Sequence, residues 1–212
     1  MSIPTPFNPL GTLGGELPPG YTRLLAVEFD KRQGFYTGVN LADSTVLKAD
    51  IQGVGYTATT SAVREMCVFS TRPNYGNGSG GNTFCAAQSS LNSIDVYPFN
   101  GTVASYPVAE FVINQRNSYV WGKTFVSFNG EEKSITDKTT YNKEIHVGFG
   151  LDSFGRRLHA KVYGLQIFNA GQLVRNYVPA LDDNGRACMY ETVEKSAVYS
   201  ELSADFLPIY KS

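Results

Sequence analysis

The sequence contains no apolar run approaching the roughly 18 residues that cross a bilayer as a helix, and no run of basic residues longer than two. The first absence argues against a helical membrane span. The second leaves no electrostatic footprint for nucleic acid, so neither a membrane nor a nucleic acid is an expected partner. A helical period is missing as well: nowhere do apolar residues recur every 3.6 positions for twelve residues, which excludes a bundle and a doubly wound fold. Charge is scarce, with 17% Asp, Glu, Lys and Arg and a formal net charge of -1. The surface must therefore be built largely from Ser, Thr, Asn, Gln, Gly and Tyr. Cysteine is limited to Cys67, Cys85 and Cys188. An odd count without close spacing is no disulfide framework, and the thiols read as buried, reduced, small hydrophobes. A Cys67–Cys85 bridge is the alternative. The start, Met1 to Leu10, lacks the basic and apolar segments of a secretory signal, and synthesis in a cytoplasm is expected.

What is present is β-forming. Tyr and Phe number 13 each among 212 residues, and both favour half-buried pleated positions. Short strand-like runs are expected over 21–29, 34–39, 46–52, 64–70, 83–88, 93–97, 110–113, 144–149, 158–168, 173–178, 187–191 and 197–199. Turn chemistry separates them. Asn129-Gly130 tolerates positive φ twice and predicts a tight hairpin behind Phe125–Phe128. Asn100-Gly101, Asn169-Ala-Gly171 and Asp182-Asp-Asn-Gly185 supply further turns. Pro179 is expected to end its strand because it cannot donate to a ladder. Residues 71–82, with Gly76, Gly78, Gly80 and Gly81, read as a long surface loop, and Val193 to Ser196 as a helical turn. A dozen short strands without intervening helices predict an all-β, antiparallel two-sheet jelly-roll sandwich.

Residues 1–20 stand apart from a domain over 21–212. They carry five of the ten prolines and four glycines. Yet Ile3, Phe7, Leu10, Leu13 and Leu17 make the segment too apolar for a solvated tail. It reads as an extended arm that docks on its own domain or on a neighbouring subunit or particle.

The last third carries a cassette, Leu158-His-Ala-Lys-Val-Tyr-Gly-Leu-Gln-Ile-Phe-Asn-Ala-Gly-Gln-Leu-Val-Arg-Asn-Tyr-Val-Pro-Ala-Leu-Asp-Asp-Asn-Gly-Arg-Ala-Cys-Met-Tyr-Glu191. It resembles the C-terminal strands of concanavalin A-like, laminin-G-like jelly-roll domains. Leu17-Pro-Pro-Gly-Tyr-Thr-Arg-Leu24 and Phe35-Tyr-Thr-Gly-Val-Asn40 are similar to the lead-in and an early strand of such domains. The likeness covers roughly 21–41 and 158–200. Arg186-Ala-Cys-Met189 and Glu191 depart from the usual pattern and make a family ligand site less safe to transfer. The resemblance implies a concanavalin A-like sandwich of the kind found in bacteriophage virion proteins and surface proteins of gut bacteria. Some members of the fold hydrolyse β-glucans with a Glu-x-Asp-x-x-Glu strand, because two carboxylates must flank the scissile bond. The nearest match is Glu28-Phe-Asp-Lys-Arg-Gln33, whose last position cannot act as an acid. Glu28 and Asp30 then read as a solvated face beside Lys31 and Arg32.

Other chemistry is thin. No Gly-x-Ser-x-Gly surrounds Ser79. His146 and His159 lie on separate predicted strands. The oxygens of Asp182 to Asn184 suit calcium, but turn formation accounts for them. No metal, cofactor or enzymatic activity is expected. Binding remains: Arg116, Asn117, Tyr119 and Trp121, with Tyr75 from the long loop, offer aromatic faces and hydrogen-bonding groups for a glycan, against core packing for Trp121. The functional expectation is a virion structural or accessory protein of a bacteriophage, such as a capsid decoration, head-fibre or tail-associated subunit. It would be located in the virion, joined through its arm to other virion proteins or to copies of itself, and able to adhere to cell-surface or mucus glycans. The alternative is a carbohydrate-binding module of a bacterial surface protein.

Overall fold

Period-two alternation is visible wherever one sheet face meets water, as in the buried–exposed sequence of Phe35–Asn40. The computed structural model describes residues 16–56, 65–71, 83–98, 102–136, 143–148, 158–202 and 204–211. Its strands are β1 (Thr22–Arg23), β2 (Ala26–Asp30), β3 (Phe35–Asn40), β4 (Thr45–Gly53), β5 (Glu65–Ser70) and β6 (Thr83–Ser90). There follow β7 (Ser93–Pro98), β8 (Ala104–Pro107), β9 (Arg116–Trp121), β10 (Phe125–Phe128), β11 (Glu131–Ser134) and β12 (Glu144–Val147). The last are β13 (His159–Asn169), β14 (Gln172–Leu181), β15 (Ala187–Glu191), β16 (Ser196–Val198) and β17 (Leu207–Ile209). Among the described residues no helix occurs.

The larger sheet runs β11-β10-β9-β4-β13-β14-β15-β16, with β1 added to β14 and β2 lying between β13 and β17. The smaller sheet runs β3-β12-β5-β6-β7-β8. The strand pairs are antiparallel. The chain crosses between sheets at β2–β3, β3–β4, β4–β5, β8–β9, β11–β12 and β12–β13. That repeated crossing between two packed antiparallel sheets is the jelly roll.

The core fills the space between the sheets. Phe69, Tyr119, Trp121 and Phe128 form an aromatic chain at one end, and Phe29, Phe35, Tyr177 and Phe206 another. One open side of the sandwich is stitched across. The Tyr106 hydroxyl donates to the Val126 carbonyl (2.9 Å), and the Lys133 ammonium donates to the Ser105 carbonyl (2.7 Å). Edge strand β3 is capped by side chains: the Arg175 guanidinium donates to the Thr37 carbonyl (3.1 Å), and the Glu201 carboxylate accepts from the Tyr36 amide (3.2 Å). Such caps leave few backbone groups open to a foreign strand.

The hairpins follow their turn residues. Asn129 and Gly130 have φ of 49° and 91°, and Ala170 and Gly171 have φ of 48° and 79°. Two expectations are corrected. Residues 110–113 form no strand, because the Gln88 side-chain carbonyl takes the amides of Val112 and Ile113 at 2.9 Å each in place of a ladder. Pro179 does not end β14, which continues to Leu181. Its carbonyl accepts from Leu24 (3.1 Å), so its missing N–H faces the step where β13 stops pairing with β14 and β1 begins. Strand β9 and the short strands β8 and β17, the latter two containing proline, lie outside the expected runs. Residues 72–82 and the Asn100-Gly101 turn lie outside the described residues.

Of the arm, residues 16–20 are described. Leu17 packs with Tyr21 and Tyr199 on a second apolar cluster of Val178, Ala180, Cys188 and Tyr190. This part of the arm docks on its own domain. Ile3, Phe7, Leu10 and Leu13 lie outside the described residues.

Candidate functional site

Strand β9 pairs with β4 so that Arg116 faces Gln52, Ser118 faces Asp50 and Val120 faces Lys48. Directly opposed residues share a sheet face. These positions alternate with the core residues Leu47, Ala49, Ile51, Tyr119 and Trp121, and so line the outer face of the larger sheet. The alternation divides the expected glycan residues. Arg116 is on the outer face. Tyr119 and Trp121 are completely buried in the interior, stacked 5.9 Å apart, and the indole N–H donates to the Cys85 carbonyl (3.3 Å). Neither ring presents a face to a ligand, which corrects the expectation of a stacking platform there. Asn117 is buried too; its amide donates to the carbonyls of Val112 (2.8 Å) and Gln115 (2.9 Å) and holds the turn before β9. Tyr75 lies outside the described residues.

Arg116 does have partners suited to binding. Its Nε donates to both oxygens of Asp50, at 2.9 and 3.1 Å, and its terminal nitrogen also reaches the carboxylate. Its guanidinium lies 4.2 Å from the ring centre of Tyr163, a cation–π stack. The Tyr163 hydroxyl donates to the Gln52 side-chain carbonyl (2.7 Å), and the Gln52 amide donates to the Asn114 backbone (2.7 Å). Tyr163 owes its position to a β-bulge: Val162 faces Ile51 and Gly164 faces Asp50, leaving 163 as the extra residue. Bulges re-aim side chains in this way.

Asp50 is recessed, with its side chain 1% exposed, whereas that of Arg116 is 34% exposed. Burial pushes the Asp50 carboxyl above its ordinary value, and the Arg116 hydrogen bonds offset part of that rise. The guanidinium, held charged by Asp50, therefore keeps donors at the surface while its partner lies beneath. Along the same face Lys48 stands 4.7 Å over Phe168. The Gln166 amide donates to Asn176 (3.2 Å), which donates to Thr192 (2.8 Å). The outer face is thus a field of planar amides, hydroxyls and two cation–aromatic pairs.

The remaining candidates resolve into structural roles. Gln33 is 1% exposed. Its carbonyl accepts from the amides of Asp30 (2.8 Å) and Arg32 (3.3 Å), and its NH2 donates to the Asp205 carbonyl (2.9 Å). It ties the turn after β2, where Lys31 has φ of 76°, to the C-terminal segment. Asp30 pairs with Arg32 and Glu28 lies 4.0 Å from His159, both half-buried rather than fully solvated. His146 is buried on the smaller sheet, with its ring edge-on to Tyr36, and His159 lies on the larger one. Among the described residues no three His, Cys, Asp or Glu groups converge on a metal position. The Asp182 carboxylate is used by the amides of Asn184 (3.0 Å) and Arg186 (2.8 Å) and by the Tyr199 hydroxyl (2.7 Å), which is the work of a turn. No helix of the described residues is long and apolar enough to cross a membrane.

No protein-family model matches the chain, and no curated protein sequence matches it. Among solved structures it is similar to the mouse laminin alpha1 chain, domains LG4-5, at 11% identity and a TM-score of 0.42 over 76% of this chain. It spans 44% of that laminin chain, less than half its length. It is also similar to the Bacillus licheniformis beta-glucanase, at 10% identity and a TM-score of 0.36, over 70% of this chain and 87% of the other. The expected antiparallel two-sheet sandwich rests on the strand order and pairing of the described residues themselves.

Proposed function

We propose that the chain is a non-catalytic binding sandwich that takes a glycan on the outer face of its larger sheet, centred on Arg116, Tyr163 and Asp50. The observation that carries the reading is the Arg116–Tyr163 stack over a recessed carboxylate. A guanidinium fixed in this way loses little freedom when it hydrogen-bonds a ligand, and sugars offer the neutral hydroxyls that suit planar amides and charged donors. Support for the non-catalytic part comes from Gln33, whose amide is consumed by backbone partners at both ends. An ionised carboxylate at that position could not donate to the Asp205 carbonyl.

The test is a glycan array followed by titration calorimetry with the best-bound sugar. Binding in the millimolar range or tighter is expected. Tyr163→Ala should weaken it up to about tenfold, since the cation–π contact that holds Arg116 contributes roughly 0.5–2 kcal/mol, with the melting temperature little changed. An array without any bound sugar at millimolar concentration overturns the reading.

The second reading, a bacteriophage virion subunit, is favoured by the arm, whose last apolar residue, Leu17, is half-buried against an apolar cluster. If Ile3, Phe7, Leu10 and Leu13 do the same on a second copy, the full chain self-associates in light scattering. A variant lacking residues 2–15 is then monomeric and folded. Equal masses for the two proteins remove the self-assembly form of this reading.

A further inference from the structure

Two of the three cysteines face each other. Cys67 on β5 and Cys85 on β6 are directly opposed across an antiparallel pair, so their side chains leave the sheet on the same side. Both are buried reduced thiols. Their chain neighbours Met66, Val68, Phe84 and Ala86 belong to the core between the sheets, whereas the two thiols do not. They lie on the other face of the smaller sheet, in a row that continues to Tyr97 on β7.

Opposed residues in an antiparallel pair have Cα atoms about 4.5–5.5 Å apart, inside the roughly 4.4–6.8 Å range of disulfides. Their Cβ atoms, about 4.5–5.5 Å apart, must close by roughly 1 Å to reach disulfide geometry. A register shift begins immediately beyond Cys67, between Cys67 and Phe69. A bulge bends its strand locally and supplies that adjustment without moving the rest of the sheet. In sequence the two cysteines enclose residues 68–84, including Gly76, Gly78, Gly80 and Gly81. Such a glycine-rich segment has high entropy in the unfolded chain, so a staple at its foot has a large ensemble to restrict.

We propose that Cys67 and Cys85 form a redox latch: thiols in the reduced protein, they close into a cross-strand disulfide that staples β5 to β6 when a small disulfide oxidant is supplied. The exchange balances. Both thiols are covered in the closed sheet, so exchange takes place when the β5–β6 pair opens locally: a Cys67 or Cys85 thiolate attacks oxidised glutathione, giving a mixed disulfide and one reduced glutathione. The opposing thiolate then displaces the second glutathione and the Cys67–Cys85 bond forms. Two protein thiols are oxidised and one glutathione disulfide is reduced to two thiols. Cys188, on the outer side of the larger sheet, is the internal control: the residue opposed to it on β14 is Ala180, so it has no cysteine to pair with. The latch is independent of any ligand on the larger sheet.

The experiment incubates the full chain with oxidised glutathione, alkylates under denaturing conditions and maps peptides by mass. Alkylatable thiols are expected to fall from three to one, with a peptide joining Cys67 to Cys85. The melting temperature should rise by about 5–10 °C, as expected for a closed loop of this length, and return on adding dithiothreitol. Cys67→Ala and Cys85→Ala abolish the rise, and Cys188→Ala keeps it. The peptide map on the unmodified sequence stands even if an alanine variant folds poorly. Three alkylatable thiols after oxidation, a persistent glutathione adduct or a link to Cys188 each overturn the latch.

Discussion

Trp121→Ala is expected to destabilise the domain by about 3–5 kcal/mol, the range for removing a fully buried large aromatic. The indole is 1% exposed. It stacks on Tyr119 at 5.9 Å within the larger sheet and meets Phe69 of the smaller sheet edge-on at 5.9 Å. Its N–H donates to the Cys85 carbonyl, so one side chain bolts β9 to β6 across the sandwich. Alanine leaves a cavity between two sheets whose spacing is fixed by the other aromatics, and it strips the Cys85 carbonyl of a donor. Trp121→Phe separates the two effects: it keeps most of the volume and loses the hydrogen bond, at about 1–3 kcal/mol. Urea unfolding followed by far-ultraviolet circular dichroism is the measurement, because the only tryptophan is removed. A cost under about 1 kcal/mol for alanine would be at odds with a packed site, where such truncations are expensive. Glycan affinity per folded molecule should be unchanged by the phenylalanine variant, since the indole has no surface face.

The sequence could have revealed that role. Arg116 and Trp121 are five positions apart, an odd number, so in a strand they must point to opposite faces. Tyr119 and Trp121 share the apolar phase, and Arg116, Ser118 and Val120 share the other. Grouping Arg116, Asn117, Tyr119 and Trp121 as one surface neglected this parity. Turn chemistry was the most legible feature, because Asn129-Gly130 and Asn169-Ala-Gly171 need only local backbone freedom. The bulge that lifts Tyr163 beside Arg116 was not legible, since an extra residue in β13 shows itself only against the register of β4. The opposition of Cys67 and Cys85 depends on register too, and no spacing rule across 18 positions predicts it. Gln88 replaces a strand over 110–113 by a long-range side-chain contact, which local propensity does not report. Pro179 was misread because its defect matters only on the side facing β13 and β1, where the ladder changes partner.

Gly148→Ala should be among the costliest single substitutions outside the aromatic core. Gly148 directly follows β12 with φ of 79°, a region that disfavours any side chain. A Cβ there would stand 2.4 Å from the Gln33 carbonyl oxygen and 3.1 Å from both the Gly34 Cα and the Phe29 ring. Two of these are backbone atoms and cannot rotate aside. The Gly148 amide donates to the Val68 carbonyl (3.1 Å), which holds the residue in place. Relief therefore has to come from the Gln33 segment, and Gln33 anchors Asp205 and the adjoining core residue Phe206. Backbone strain of about 1–2 kcal/mol and overpacking of about 1–3 kcal/mol together predict a loss of roughly 2–5 kcal/mol. Gly171→Ala supplies the reference. It has the same φ of 79° but nothing within 4 Å of the added Cβ, so strain alone applies, at about 1–2 kcal/mol. Parallel urea titrations of the two variants isolate the contact with Gln33. If Gly148→Ala costs no more than Gly171→Ala, the close approach between β12 and the β2–β3 turn is not what holds that end of the sandwich together.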